Sequence, residues 1–191
     1  MGTVLYYIWD TLKSMLPAIP AAVLLRLGAI PLRRRKGLAT TLRHEAGAAA
    51  LILWMAALLV QTLGRPLVWP PVWMNNIPYE INLIPLYTIR EIFARGATGY
   101  AIVNLLGNVL IFVPIGLLPP LLWRRMDRLG LCCAAGFSLS LLIEIAQLFS
   151  FRSPDVDDLL LNTLGAGVGF AVYYLCLKRW AGEKFRLRSR A

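Results

Sequence analysis

From Gly99 to Trp123 the chain has no charged side chain, and comparable apolar runs recur at about Ala46–Gly64, Leu129–Phe149 and Leu159–Trp180. A run of about 20 apolar residues is long enough to cross a bilayer as a helix, and inside hydrocarbon only a helix or a closed barrel satisfies its own backbone. A further stretch, Met15–Leu32, is interrupted by Pro17, Pro20 and Arg26. The predicted fold is therefore all-α: a polytopic helical membrane bundle of about five transmembrane helices. Its expected parts are an N-terminal segment over 1–32 with the first span, a membrane domain over 33–180 and a basic tail over 181–191. The mean hydropathy of +0.63 argues against a water-soluble core.

The net charge of +10 is segregated. Five Lys and Arg residues lie between the first two spans, three after the third and six from Lys178 onward, against three and one in the other two connections. Clusters alternating with apolar runs read as topology signals and contacts for anionic lipid, and no nucleic-acid motif accompanies them. Positive residues mark the cytoplasm, so the C-terminus is expected inside and, with five spans, the N-terminus outside. No cleavable signal peptide is evident. Cys132, Cys133 and Cys176 lack metal-ligand or redox spacing, and the single His44 is distant from them in sequence. They read as structural residues, and no metal or cofactor is expected. The connection from Arg65 to Thr98 holds Trp69, Trp73 and Tyr79, residue types that favour the bilayer interface.

Polar residues within the spans are the candidates for function, because an ionisable group near mid-bilayer costs a few kcal/mol or more. Glu144 is foremost, with Arg152 as a candidate ion partner. Asn104 and Asn108, Glu144 and Gln147, and Asp158 and Asn162 are paired at helical spacings of three or four, so each pair shares a face. The topology places all of them toward the extracytoplasmic side, where Asn82, Arg90, Arg152 and Asp155 of the loops can join them. Two readings stand for each feature. The amides either hydrogen-bond between helices or face a ligand. The carboxylates at 155, 157 and 158 either cap a helix or grip a cation, and Arg90 and Arg152 either form structural pairs or hold a phosphate or carboxylate. The glycines of GAGVG at 165–169 read as a close-packing face rather than a nucleotide loop.

The strings NLIPL from Asn82, NLLGNVLIFVPIGLLPPLL from Asn104 and SLLIEIAQLFSFRSPDVDDLLLNTLGAGVG resemble successive blocks of the VanZ-like family, named for a teicoplanin-resistance accessory protein. The resemblance covers roughly Asn82 to Phe170, with Leu86 where the family commonly has Phe and Phe170 where it often has Tyr. It implies a multi-pass protein of the bacterial cell membrane, linked in the namesake to lowered glycopeptide susceptibility, with no settled catalytic mechanism. The expected function is an outward-facing polar cleft formed by Asn82, Arg90, Asn104, Asn108, Glu144, Gln147, Arg152, Asp155, Asp158 and Asn162. Its expected partners are membrane lipids and an amphiphilic envelope ligand, such as a lipoglycopeptide or lipid-linked wall precursor. Two alternatives remain: an integral-membrane enzyme with Glu144 as general acid or base, and a membrane scaffold for a partner protein. The chain contains no GxSxG, HExxH or Walker pattern, which favours binding over catalysis.

Overall fold

The computed structural model describes residues 9, 13, 16, 18–35, 38–60, 62, 81–96, 99–148, 153–185 and 188–189. The helices are α1 (Ala18–Arg35), α2 (Leu42–Leu59), α3 (Tyr87–Ala94), α4 (Gly99–Leu122), α5 (Leu129–Leu148), α6 (Val156–Val172) and α7 (Lys178–Phe185). A π-helical turn, Tyr173–Leu177, joins α6 to α7, and a 3-10 turn, Arg124–Met126, lies between α4 and α5. Among the described residues, four helices are long and apolar enough to cross a membrane: Leu42–Leu59, Ala101–Leu122, Leu129–Leu148 and Val156–Leu177. The all-α membrane bundle expected from the sequence is thus present, built on four such helices rather than five. The first stretch does form a helix, but α1 carries Arg26, Arg33, Arg34 and Arg35, and that charge load removes it from the set. The expected outside N-terminus consequently lacks the crossing helix on which it depended.

The bundle is organised on the contact between α4 and α6, where small residues bring the two backbones together. A Cβ added at Gly165 would lie 2.1 Å from the Val109 carbonyl oxygen, one at Gly169 would lie 2.0 Å from that of Val113, and one at Gly116 would lie 1.8 Å from that of Ala166. Only a hydrogen fits at such approaches, which is how GAGVG works as a packing face. α5 covers the same seam, with Gly136 set against the Ala166 methyl. Leu58, Phe112, Ile115 and Ile143 join α2, α4 and α5 in one buried cluster, and Leu121 and Tyr173 form a second toward the other end.

Pro114, Pro119 and Pro120 lie inside α4, which continues through them. A proline withholds the N–H that would bond the carbonyl four residues earlier and disturbs the ladder around it. Close to that break, Trp54 Nε1 of α2 donates to the Ile111 carbonyl at 2.8 Å, giving a carbonyl of α4 a partner from outside the helix. Beside this bond lies an apolar groove of 360 Å³, lined in part by Ala50, Trp54, Pro114 and Leu118.

The basic connections gather at one end of the bundle. Leu38–Ala39 pairs antiparallel with Arg188–Ser189, joining the first connection to the tail. His44, at 0% exposure, places Nδ1 2.8 Å from the Phe185 carbonyl oxygen. A carbonyl only accepts, so Nδ1 carries the proton. Lys178 Nζ meets Asp127 at 3.1 Å and brings the third connection to the same end. α1 is fastened there by Glu45, which meets Arg26 at 2.7 Å and Arg33 at 2.5 Å and also accepts from Thr40. The grouping of basic clusters read from the sequence is therefore a property of the fold.

Candidate functional site

At the opposite end, the polar residues form three layers rather than one open cleft. The outermost is a clamp between the NLIPL segment and the start of α6. Asp155 caps its own helix by accepting the Asp157 N–H at 2.8 Å, the ordinary use of Asp at that position. It also accepts Asn82 Nδ2 at 2.8 Å and the Thr88 hydroxyl at 2.5 Å. Two backbone bonds run beside it: Asn82 N–H to the Pro154 carbonyl at 3.1 Å and Val156 N–H to the Asn82 carbonyl at 3.0 Å. Residues 82 and 155 thus form a parallel bridge.

Asp157, only 1% exposed, serves a different helix from its own. Its carboxylate accepts the N–H of Leu86 and, at 3.2 Å, that of Ile89, so it caps α3 from the side. This cap is needed because Leu86 occupies the N-cap position with a left-handed backbone, φ 64°, and has no side-chain oxygen to offer. The Asp157 bond holds this strained backbone in place.

Below the clamp, Glu144 of α5 is 8% exposed and its Oε2 accepts the Asp155 N–H at 3.1 Å. Gln147, 7% exposed, is buried one turn further along. Glu144 and Asp155 border a 110 Å³ cavity with Asn82, Leu83, Leu141, Pro154, Val156 and Leu159. The wall that this cavity presents is apolar, because the carboxylates turn into the clamp. At about 30 Å³ per water in the liquid, such a volume matches a few waters or a short hydrocarbon segment.

The deeper layers join helix to helix. Asn108 of α4 donates to Asp158 of α6, and Asn162 of α6 donates to the Ser140 hydroxyl of α5 at 2.9 Å. The structure therefore brings Asn82, Glu144 and Asp155 together, pairs Asn108 with Asp158, and commits Asn162 to a contact between helices. Asn104 and Arg90 are exposed and stand apart from these bonds. Arg152 lies outside the described residues, as do Trp69, Trp73 and Tyr79.

Sequence reasoning left Thr88 and Ser140 out of the site, and it read Asp157 as a cap of its own helix or a cation ligand, not as the cap of α3. A hydroxyl in an apolar run gives no signal of its own. Asp157 gives none either, because an acid in the first turn of a helix is already accounted for by that helix. Among the described residues, no group of three or more His, Cys, Asp and Glu residues is arranged to hold a metal ion. The buried Cys132 donates its thiol to the Met126 carbonyl at 3.2 Å.

No curated protein and no solved structure matches this chain. The family model described as VanZ/LLP1 matches residues 48–177, which takes in α3 to α6, the whole clamp and the greater part of α2. A match over most of the chain, on a bundle of apolar helices that holds its polar blocks at one end, assigns this protein to the VanZ/LLP1 family.

Proposed function

We propose that this multi-pass protein binds an amphiphilic molecule of the bacterial cell envelope at the end of the bundle held by Asp155 and Asp157. In this reading it sits in the cell membrane with the basic end in the cytoplasm. The observation that supports it most is the cavity beside Glu144: an apolar pocket directly under a polar clamp suits a ligand with a hydrocarbon part and a hydrogen-bonding head. Asn82 and Asp155, both half-buried at its border, hold their polar groups in the clamp, so a ligand's hydroxyl or amine would join hydrogen bonds that the clamp already makes. A lipoglycopeptide such as teicoplanin and a lipid-linked wall precursor both have this character. Lowered glycopeptide susceptibility would follow if binding changed the drug's access to the envelope.

The test compares teicoplanin susceptibility in a deletion strain complemented with wild type or Leu141→Trp, with membrane abundance measured in parallel. Leu141 lines the cavity and is itself 39% exposed, so the larger ring fills the pocket from its rim. Loss of protection at normal abundance is the expected result. Full protection by the filled variant would sink the pocket as the binding site, and a deletion without effect on susceptibility would remove glycopeptides as the ligand class.

The enzymatic alternative draws on the burial of Glu144 beside the same cavity. A general acid or base cannot be replaced by an amide, whereas a binding wall can. Glu144→Gln that protects as well as wild type at equal abundance would leave no catalytic role for this residue.

A further inference from the structure

The segment from Asn82 to Phe93 has its polarity inverted relative to a loop that faces water. Its polar groups turn inward: the Asn82 amide and Thr88 hydroxyl bond Asp155, and the N–H groups of Leu86 and Ile89 bond Asp157. Its large apolar side chains turn outward, with Leu83 76%, Ile84 65%, Leu86 51%, Tyr87 49% and Phe93 62% exposed. An exposed apolar surface of this kind marks an interaction site rather than a solvated face.

Two observations identify what covers it. The segment is bolted to the start of α6, and its Leu83 borders the same cavity as Leu141 of α5, a helix long and apolar enough to cross a membrane. The apolar surface of the segment therefore adjoins the apolar flank of a spanning helix. In addition, Arg90 is exposed and falls three residues from both Tyr87 and Phe93, which sets it on the same stripe of α3. An arginine between two aromatic side chains suits the headgroup level, where the rings sit at the acyl boundary and the guanidinium meets phosphate.

We infer that the Asn82–Phe93 segment is an interfacial wedge: its outward face, led by Leu83, Ile84 and Phe93, is seated in the lipid leaflet at the acidic end of the bundle, with Arg90 at the phosphates. The clamp is the device that permits this. By satisfying the segment's polar groups from beneath, Asp155 and Asp157 let its other face enter a medium that has no hydrogen bonds to give. This inference stands independently of any ligand in the cavity.

The experiment uses the full chain in phosphatidylglycerol and phosphatidylcholine vesicles, with Cys132, Cys133 and Cys176 replaced by Ser. Spin labels are attached singly at Ile84→Cys and Phe93→Cys, with Leu142→Cys as the lipid reference and Arg125→Cys as the water reference. All four positions are exposed, so each label leaves the clamp intact. The expected result is relaxation by oxygen at 84 and 93 approaching that at 142, with shielding from a water-soluble nickel chelate. Nickel accessibility equal to that at 125 would overturn the wedge in favour of a solvated loop. Shielding from both reagents would overturn it in favour of a protein partner or a second copy.

Discussion

Asp157 lies in the first turn of α6, yet its carboxylate accepts the backbone N–H of Ile89, in the first turn of α3, at 3.2 Å. One side chain thereby fixes the start of a helix that is remote in sequence. Removing it by Asp157→Ala leaves the N–H groups of Leu86 and Ile89 without an acceptor, at a cost of about 1–3 kcal/mol for each buried group. Amide exchange over residues 82–94 should accelerate while the spans stay protected. Unchanged exchange there would mean that the segment is held by the Asp155 bonds alone.

The α4–α6 seam should be intolerant of a single methyl group. Gly165→Ala and Gly169→Ala place a Cβ about 2 Å from backbone oxygens of α4, and overpacking of this kind costs about 1–3 kcal/mol. Gly107→Ala, on the same α4 but with nothing within 4 Å, should be neutral or mildly stabilising. Thermal unfolding in detergent distinguishes them, and equal melting temperatures for the three variants would contradict the close approach.

Trp54→Phe keeps an aromatic ring against α4 but removes the donor to Ile111. The expected loss is about 0.6–1.5 kcal/mol, the range of single hydrogen bonds between membrane helices and in folded proteins. Indole absorption of the Trp54 N–H should show the bond directly, and a variant as stable as wild type would show that water or another group serves the carbonyl equally well.

At the basic end, Glu45 is the common partner of Arg26 and Arg33. Glu45→Gln leaves two partly buried guanidinium groups without their counter-charge, so α1 should separate from α2 while the four long helices remain assembled. Breaking such a pair from one side costs up to about 3–5 kcal/mol where it is buried. Disulfide crosslinking between cysteines placed on α1 and α2 reads the outcome, and undiminished crosslinking would show that apolar contact alone holds α1.

Membrane-impermeant labelling at the two ends of the chain tests how many times it crosses. With four spans beginning at Leu42, Trp9 and the tail should label from the same side. Labelling from opposite sides would restore α1 as a fifth span despite its arginines.

The spans were legible because hydrocarbon imposes a simple rule: an unbroken apolar run of sufficient length must become a helix. The grouping of the basic connections at one end was legible too, since Lys and Arg clusters in such a chain mark alternate connections. GAGVG could be read as a packing face, because glycine within a span has little other use. Asp155 as a cap was also accessible from its position before α6. The clamp was less so. Asp157 and Thr88 act on partners 68 and 67 residues away in sequence, and no local spacing encodes such a pairing.

The four long apolar helices, the membrane character and the family blocks were determined by the sequence, because local hydropathy and spacing decide them. Only the tertiary structure decided that α1 is held by Glu45, that Asn162 is committed to Ser140, and that the acids around 155 are taken up by backbone and side-chain donors of neighbouring elements. Those outcomes depend on which donor reaches which acceptor first across the folded bundle. A buried carboxylate takes whatever N–H the fold presents, and the sequence states the carboxylate without stating the N–H.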